Sequence, residues 1–355
     1  MAQLVWTASL AKDPRSQGVT NTMTDQNQSE FVDTILAPPE APEAPPETQD
    51  TAELSAAGDH DSSSYSVKFR VIMLITVLLP FLGLVAAMIL LWHVAFSWVY
   101  LALLGGMYML TAMGVTIGFH RLFTHRSFQT SKPVAAAFAV IGSMAVQGPL
   151  LIWVAVHRRH HQCSDDHGDP HSPHLHGDTV WGTLRGIFHS HMGWMFSKHP
   201  DDLERYVGDL RRDRVMRVIS RLFPLWVTLG LLLPAVVGGL VTWSWTGVLL
   251  GFIWGGLVRV FVGHHLTWSI NSVCHIWGSR PFRSNDESRN NALLGILAFG
   301  EGWHNNHHAF PTSARHGLRW WQIDLSYIII RFMAWLRLAR AVRVPTTDKI
   351  AAKSR

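Results

Sequence analysis

Eight of the 21 histidines in this chain fall into three clusters with regular spacing. The clusters are His120 and His125; His157, His160 and His161; and His304, His307 and His308. Positions i, i+3 and i+4 of an α-helix lie within an arc of about 100°, so each HxxHH segment predicts three imidazoles on one helix face. His120 and His125 would diverge by about 140° on an ideal α-helix. Either these two rings bind different metal ions, or a helix ends between them.

The donor types in these clusters decide which metal they favour. Imidazole binds zinc, copper and iron, and eight clustered imidazoles are too many for one ion and suit two. Structural zinc sites usually close with four ligands and favour Cys; with 2 Cys in the chain, a zinc-stabilised domain is the less favoured alternative. Carboxylate-bridged di-iron bundles need two Glu-x-x-His motifs, and this chain has one, at Glu301 and His304. The clusters therefore predict two metal ions held by nitrogen ligands, and two iron ions held in this way would form an oxidising centre with room for O2 as co-substrate.

Long apolar segments must position these clusters. The chain is 48% hydrophobic and 15% charged, and about 20 apolar residues in helical form cross a bilayer. The predicted transmembrane helices are residues 71–92, 98–119, 222–240 and 247–262. A fifth apolar stretch, 134–156, would put the first two clusters on opposite sides of the membrane if it spanned. We therefore expect an interfacial helix there, interrupted by Gln147, Gly148 and Pro149.

The distribution of charge predicts the orientation. The turns at 93–97 and 241–246 contain no Lys or Arg, whereas residues 67–355 as a whole carry 28 Lys/Arg against 14 Asp/Glu. The positive-inside rule therefore places both termini and the histidine clusters in the cytoplasm. Residues 20–66 carry 10 Asp/Glu and no Lys or Arg, and residues 1–66 are predicted to form a disordered, acidic, Pro-rich tail. The predicted fold class is an all-α membrane protein: four transmembrane helices with a cytoplasmic helical cap that holds a His-rich di-iron site.

The clusters and their surroundings resemble the membrane-bound fatty-acyl desaturases, in particular the delta-9, stearoyl-CoA desaturase-like branch of bacterial type. The resemblance covers about residues 70–345. It rests on the segments GFHRLFTHRSF, HRRHHQCSDDHGDPHSP, HMGW, NSVCHIWGSRPF and FGEGWHNNHHAFPTSARHG. It implies a desaturase domain at 67–345, followed by a C-terminal tail at 346–355, and a kinked tunnel for an acyl chain. It also implies that His275 is a ninth ligand and that Asn271 holds a water on one iron.

The activity implied is O2-dependent delta-9 desaturation, which introduces a cis double bond into the saturated chain of an acyl-CoA or acyl-lipid. A di-iron hydroxylase or ketolase acting on a lipid remains an alternative, because it would share the same site. A membrane metal-binding or transport protein is an alternative of another class. Transport predicts ionisable residues within the spans, and the first three predicted spans contain no Asp, Glu, Lys or Arg.

Electron balance predicts a partner. O2 takes four electrons and the C–C bond supplies two, so a separate electron-transfer protein, of ferredoxin or flavoprotein-reductase type, should dock on the basic cytoplasmic face. The bilayer and the acyl donor are the other expected partners, and no nucleic acid is expected.

Several residues are candidates for substrate binding. Head-group candidates are Lys198, Arg158, Arg159 and Arg185; chain-length candidates are Tyr108 and Leu104; tunnel-wall candidates are Trp153 and Trp268. The animal acyl-CoA enzymes carry an Arg-Asp pair where this chain has Ala155 and Val156. The donor is therefore open between acyl-CoA, which the rest of the resemblance favours, and a membrane lipid.

The remaining histidines are given plainer interpretations. The loop that contains His167, His171, His174 and His176 is expected to be solvated, because of its turn-forming composition. His264 and His265 are expected to line the mouth of the site or to bond to backbone. His189, His191, His199 and His316 are expected to lie at the surface or to orient ligands. Other candidates for orienting the ligands are Asp166, Asp169, Asn305, Asn306 and Glu301.

Overall fold

The computed structural model describes residues 67–93, 97–197 and 203–355. The predicted N-terminal tail and Lys198 lie outside the described residues. Within these ranges, four helices are long and apolar enough to cross a membrane: Val67–Leu90, Trp98–Thr124, Phe223–Thr242 and Trp245–His275. The prediction of four spanning helices is confirmed. The second and fourth helices run several residues further toward the histidines than the sequence indicated.

The second and fourth spans change their helix type along their length. The first span is α1 (Val67–His93), and the second begins as α2 (Trp98–Met113) and continues as a π-helix, Gly114–Thr124. The third span is α8 (Phe223–Thr242). The fourth consists of α9 (Trp245–Gly251), a second π-helix (Phe252–Val258), α10 (Arg259–Ser272) and a 3-10 turn (Val273–His275). Both π-helices therefore lie in the two spans that lead to histidine ligand candidates.

The third and fourth spans form a hairpin whose backbones touch. Gly247, Gly251 and Gly255 recur every four residues, so one face of the fourth span lacks side chains. A Cβ atom on Gly251 would lie 2.3 Å from the carbonyl oxygen of Pro234. Small residues at this spacing allow helices to pack closely in a membrane, where van der Waals contact drives association.

The cap is built from short helices on the spans' ends. Its helices are α3 (Lys132–Ser143), α4 (Leu150–Cys163), α5 (Val180–His191), α6 (Gly208–Arg212), α7 (Arg214–Arg221), α11 (Ala292–Leu297), α12 (His304–Ala309), α13 (Leu325–Trp335) and α14 (Thr347–Lys353). Two 3-10 turns, Gly193–Phe196 and Leu203–Val207, flank the undescribed 198–202 segment. A two-residue antiparallel ladder pairs β1 (Gln129–Thr130) with β2 (Ala339–Arg340). The predicted tail at 346–355 contains α14.

The predicted interfacial helix at 134–156 is two helices, α3 and α4, and the break between them contains the interruption expected at Gln147, Gly148 and Pro149. Val146 and Gly148 both have positive φ, at 65° and 102°, which an α-helix cannot accommodate. Side chains of α10 hold the intervening turn: His264 Nε2 lies 3.0 Å from the Val146 carbonyl, and Gln147 Nε2 donates to Thr267 Oγ1 at 2.8 Å. The break gives α4 its own direction and brings its histidines under the spans.

Arg259 is a buried cation in the fourth span, with 1% of its surface exposed. Its guanidinium donates to three carbonyl oxygens: Gly255 at 3.2 Å, Met144 at 2.8 Å and Gly230 at 2.8 Å. These acceptors belong to the fourth span, the turn after α3 and the third span. One side chain therefore connects three elements around the apolar interior.

Candidate metal centre

All nine predicted histidine ligands lie together in two adjacent groups. In each group the ring nitrogens lie within 4.8 Å of one another. The five-histidine group contains His120, His125, His157, His161 and His307. The four-histidine group contains His160, His275, His304 and His308. The structure therefore supplies two sites of suitable size for a metal ion, as the cluster count predicted.

The π-helix explains why His120 and His125 face the same group. A π-helix closes hydrogen bonds from i to i+5, and the amide of His125 donates to the carbonyl of His120 at 3.1 Å. The two ring centroids are 4.8 Å apart. Of the two options that the sequence offered, different ions or a helix end between the rings, the second is borne out, because the π-helix ends at Thr124 and His125 is its C-cap. The wider last turn of that helix brings the two rings together.

Each HxxHH helix serves both groups rather than one. In α4, His157 and His161 belong to the five-histidine group, whereas His160 belongs to the other. In α12, His307 belongs to the five-histidine group, and His304 and His308 belong to the four-histidine group. The two helices therefore lie along the boundary between the sites, and each holds both sites at a fixed separation.

The nitrogens of the five-histidine group suit a cation. Nε2 of His307 lies 3.1 Å from Nε2 of His120 and 2.9 Å from Nε2 of His161. Burial, reinforced by neighbouring imidazoles, lowers the pKa of His161 and His307 well below its ordinary value. These rings are therefore neutral, and their Nε2 atoms lie close to one another. Nε2 of His125 is buried without a hydrogen-bond partner among the described residues. Convergent neutral imidazoles are a metal-ligand set.

Three carboxylates hold rings of the four-histidine group by the nitrogen that faces away from it. The pairs are His160 Nδ1 with Asp169 Oδ1 at 3.0 Å, His275 Nδ1 with Asp165 Oδ2 at 2.8 Å, and His308 Nδ1 with Asp286 Oδ2 at 2.5 Å. Such pairing fixes the tautomer so that Nε2 is free to bind a metal. Nε2 of His308 accordingly has no other partner among the described residues.

These aspartates are ionised. Burial alone would raise the pKa of Asp286, but its hydrogen bond to His308 and the charge of that ring lower it below the ordinary value overall. For Asp169, burial likewise raises the pKa, and the charge and hydrogen bond of His160 lower it further than burial raises it. Each aspartate can therefore accept a proton-bearing Nδ1 across the physiological pH range.

A buried ionic network supports His120 in the other group. His120 Nδ1 lies 2.6 Å from Oε2 of Glu301. Arg121 is 0% exposed and donates to Glu301 at 3.2 Å, to Asp324 at 2.9 Å and to the Ala314 carbonyl at 2.9 Å. Arg121, which follows His120 in the chain, therefore anchors Glu301, the carboxylate that orients His120.

His316 also belongs to this network. Its Nδ1 lies 3.1 Å from Nη2 of Arg121, and its surface exposure is 0%. This agrees with the expectation that His316 orients ligands rather than the alternative that it lies at the surface.

A cavity adjoins both groups. Its walls include Tyr108, Thr111, Ala112 and Val115 from the second span and Leu266 and Ile270 from the fourth. His120, His157 and His304 face it, and so does Asn271. Apolar walls with a few polar groups are typical of ligand sites.

The predicted substrate residues lie in different environments. Trp153 and Tyr108 line the cavity, whereas Leu104 packs against the first and fourth spans beside Ala87 and Ile253. Trp268 is buried with its ring centroid 4.9 Å from that of His264, and it is not among the described residues that line the cavity.

The predicted cations differ as well. Arg158 donates to both oxygens of Asp209, at 2.8 and 3.0 Å, and to the carbonyl of Phe123. Arg159 donates to the carbonyl of Gly168 at 2.7 Å. Arg185 is exposed on α5. Arg158 is thus engaged by the protein itself, and Arg185 is the exposed cation among these three.

The loop at 165–178 differs from its prediction as a solvated segment. His171 and Asp169 are 3% and 6% exposed, and His174 Nε2 lies 2.9 Å from the carbonyl oxygen of His275. The loop packs against the four-histidine group because two of its aspartates bond to that group's rings. Of the residues proposed to orient ligands, Asp169 and Glu301 contact ligand rings. Asp166 is exposed, and its neighbour Asp165 makes the contact instead.

The amides flanking the third cluster brace the helix rather than the ligands. Asn305 Nδ2 donates to the Phe282 carbonyl at 3.2 Å, and Asn306 Nδ2 donates to the His316 carbonyl at 2.8 Å. Asp165 and Asp286 were missed as partners of the ligands. Asp286 lies 22 residues before His308 in the chain. The sequence contained no sign of this pairing beyond the presence of a carboxylate in the polar segment before α12.

Comparison with known proteins identifies the family. Residues 96–331 match the family model described as fatty acid desaturase. A hex-5-enoyl-[acyl-carrier protein] acetylenase of Moorena producens is 46% identical over 277 residues, covering 78% of this chain and 86% of the relative. An sn-1 stearoyl-lipid 9-desaturase of Synechocystis is 39% identical over 263 residues, covering 73% of this chain and 76% of the relative.

A third relative, delta-9 acyl-lipid desaturase 1 of Arabidopsis thaliana, is 38% identical over 259 residues, covering 72% of this chain and 78% of the relative. Together with the four apolar helices and the histidine groups, these matches agree with the resemblance drawn from the sequence segments. The chain belongs to the fatty acid desaturase family, whose members are oxidoreductases that act on acyl and lipid substrates in membranes.

Proposed function

We propose that this protein is an O2-dependent delta-9 acyl desaturase that introduces a cis double bond into a saturated chain, with two iron ions held by the nine histidines. The observation that carries this proposal is the position of both histidine groups at the wall of one largely apolar cavity. His120, His157 and His304 face that cavity, so a methylene pair held there would lie beside both ions.

The overall reaction balances as R–CH2–CH2–R′ + O2 + 2 electrons + 2 H⁺ → R–CH=CH–R′ + 2 H2O. Two irons in these groups would supply the activation of O2 that removal of hydrogen from an unactivated methylene requires. The residues of this chain do the positioning. Thr111, Val115 and Ile270 exclude water from the bond, and Asn271 is proposed to hold a water near the four-histidine group.

The proposed delta-9 position of the double bond is supported by the names of related enzymes. Two of the relatives described above are named as delta-9 or 9-desaturases. An acyl-CoA C20 delta-5 desaturase of Anemone leveillei is also similar, at 41% identity over 66% of this chain. Product analysis by gas chromatography, after expression in a desaturase-deficient host, reports the position directly. A double bond at carbon 5 would overturn the delta-9 assignment.

The acyl donor proposed is a chain esterified to a membrane lipid. Arg158 is engaged by Asp209, and Ala155 and Val156, at 2% and 6% exposed, pack in the core rather than meet a head group. The sequence favoured acyl-CoA as the donor. For that donor, however, the protein lacks the Arg-Asp pair, and one of the cations that could replace the pair is engaged elsewhere. Charge-assisted bonds to phosphate contribute about 1.5–3 kcal/mol each, so their loss weakens a CoA clamp.

Purified enzyme with iron and reductant should be offered stearoyl-CoA and a stearoyl phospholipid in parallel. We expect turnover of the phospholipid to exceed that of the CoA ester. Efficient turnover of stearoyl-CoA at low micromolar concentration, with none of the phospholipid, would contradict the lipid donor while leaving the desaturase assignment intact.

A second candidate is the oxidation of an existing double bond to a triple bond. It is favoured by one observation, the 46% identity to a relative named as an acetylenase. An oleoyl lipid and a hex-5-enoyl thioester of acyl carrier protein should therefore be included as substrates. An alkyne product formed faster than any alkene would replace the first candidate.

Chain length is proposed to be set by Tyr108. Its hydroxyl donates to the Leu297 carbonyl at 2.6 Å, and its ring lies 5.3 Å from that of Phe299, so it closes one side of the cavity. We expect Tyr108→Ala to shift the preferred substrate toward longer chains. Leu104→Ala is the matched control one helical turn away, because Leu104 packs between spans instead. An unchanged product profile in both variants would refute a role for this part of the second span.

The orientation proposed is that both termini and the cap face the cytoplasm. It is supported by the absence of Lys and Arg from the 93–97 and 241–246 turns. Labelling of single cysteines introduced at Ser244 and Asp348, in intact cells, tests it. Labelling of the cysteine at 348 from outside the cell would reverse the orientation.

A further inference from the structure

We propose that a surface formed by Arg283, Lys349, Lys353 and Arg355, the C-terminal basic surface, docks an acidic protein that carries one electron at a time. This inference rests on the proposed function, since that reaction needs two electrons from outside. The inference specifies the surface at which the electrons enter. It also specifies the partner as a one-electron carrier with a negatively charged face.

The charge of this surface is one-sided. All four side chains are exposed, and Asp348 is the one exposed carboxylate within α14. Backbone bonds hold the four together: the amide of Arg283 donates to the Lys353 carbonyl at 2.8 Å, and the amide of Arg355 donates to the Pro281 carbonyl at 3.0 Å. The cations thus form one patch rather than a scatter, and a patch of one sign steers a partner of opposite sign.

This patch lies directly over the helix that serves both histidine groups. Lys353 Nζ donates to the carbonyl of Ala309 at 2.7 Å, and Ala309 follows His308 in α12. Ile350 of α14 packs against Phe310 and Ala309. Electron transfer slows steeply with distance, so a carrier seated here has a short route to both sites.

The segment that contains Arg283 makes a second connection between the patch and α12. The amide of Phe282 donates to Asn305 Oδ1 at 2.9 Å, within α12. Asp286, three residues beyond Arg283, contacts the ring of His308 at 2.5 Å. The segment that carries one of the exposed cations therefore also holds a ligand candidate of the four-histidine group.

Two other surfaces approach the site: a loop that exposes carboxylates, and a basic helix whose contact lies six residues from the nearest histidine ligand candidate rather than one. The loop at 165–178 also covers the four-histidine group, but it exposes Asp166 and Asp178, which would repel such a partner. A second basic surface on α7 contains Arg214 and Arg217, both exposed. It packs near the start of α4, where Ser220 Oγ accepts from the Leu151 amide at 3.3 Å. Leu151 is six residues, about 9 Å along the helix, from His157.

The test uses the full chain in nanodiscs, loaded with iron, and a plant-type [2Fe–2S] ferredoxin as the probe. In each turnover two reduced ferredoxins are each oxidised by one electron, and the two electrons and two protons complete the reduction of O2 to water. The double variant Arg283→Glu with Lys349→Glu leaves Lys353 and its contact with α12 in place. Arg214→Glu with Arg217→Glu is the matched control, with the same change of charge.

We expect the first double variant to lower kcat/KM for ferredoxin by 10-fold or more and to flatten its dependence on salt. Turnover driven by dithionite, a small reductant, should stay within two-fold of the unaltered protein. The control variant should change neither rate by more than two-fold. Binding of oxidised ferredoxin to immobilised nanodiscs, measured separately, should weaken in the first variant alone.

Three outcomes would overturn the proposal: an unchanged ferredoxin-driven rate in the first variant, an equal fall with both reductants, or no ferredoxin-driven turnover where dithionite supports it. Loss of turnover with every reductant in the unaltered protein would instead count against the desaturase function. The binding measurement would still decide whether the C-terminal basic surface docks the carrier.

Discussion

The two histidine groups differ in how their rings are supported. Among the described residues, three of the four rings in the four-histidine group pair with an aspartate, whereas one of the five rings in the other group, His120, pairs with a carboxylate, Glu301. A carboxylate partner makes an imidazole a stronger donor and fixes its orientation. The smaller group therefore has fewer rings than the five-histidine group, and a larger share of them is oriented by carboxylates.

The largest expected effect comes from removing one ring from either group. His161→Ala and His304→Ala should each abolish desaturation, a loss of roughly 1,000-fold or more, because an incomplete ligand set loses its ion. His120→Ala, His157→Ala and His308→Ala should do the same. Elemental analysis should report two irons in the unaltered protein and about one in each variant.

Membrane insertion should survive these substitutions, because the spans do not depend on the rings, and fractionation checks it. Elemental analysis that finds one zinc, and no turnover dependent on iron, would contradict both the two-iron site and the comparison between the groups.

A smaller effect is expected from the carboxylate partners. Asp286→Asn should weaken iron binding in the four-histidine group by roughly 10–100-fold, the usual cost of losing such a partner. Glu301→Gln should do so in the five-histidine group only. Iron retention during chelator titration, followed by absorption, measures both. Asp166→Asn, which changes an exposed carboxylate that contacts no ligand ring, is the control. Equal retention in all three variants would show that the support is unimportant.

The sequence predicted which residues are ligand candidates better than it predicted the helix geometry that brings them together. Spacing alone placed eight histidines in three clusters, and the family resemblance added His275; all nine lie in the two groups. Helical periodicity left open whether His120 and His125 share a site, and it did not predict the π-helix that brings them together. It assumes 3.6 residues per turn, and a π-helix follows from tertiary packing that a local pattern does not contain.

The supporting carboxylates show the same limit. Asp169 lies near the second cluster in sequence and was proposed, whereas Asp286 is brought to His308 by the fold of a loop. Likewise Arg121 looked like one more cytoplasmic cation, yet it is completely buried. A charge count cannot distinguish a surface arginine from one whose every bond is internal.

The smallest expected effect concerns a salt bridge that holds the end of the first π-helix. Arg158 Nε donates to the Thr124 carbonyl at 3.2 Å, next to His125, and its guanidinium pairs with Asp209. Asp209→Asn should destabilise the protein by about 1–2 kcal/mol at neutral pH, allowing for partial exposure. Iron should be lost from the five-histidine group before the four-histidine group on heating.

The pH dependence of that effect has a defined sign. Burial raises the pKa of Asp209, but hydrogen bonds from Arg158 and Arg126 lower it to about 2. The unfolded value is near 3.9, so the stabilisation is complete above about pH 4 and disappears as the pH falls toward 2. Thermal unfolding in detergent should show the variant and the unaltered protein converging over that range. Asp348→Asn, which is exposed, should change stability by less than about 0.5 kcal/mol.

Arg259 has a consequence for the biogenesis of the protein. An arginine at the centre of an isolated helix resists entry into the bilayer by about 2.5–3.5 kcal/mol or more. All three of its carbonyl acceptors, Gly255, Met144 and Gly230, precede it in the chain and so leave the ribosome first, and the last two lie outside the fourth span. If the third span stays beside the translocon, the Arg259 guanidinium can therefore enter the lipid with its hydrogen-bond acceptors already present. The glycine-lined hairpin makes that pairing immediate, so we expect these two spans to insert together rather than one after the other.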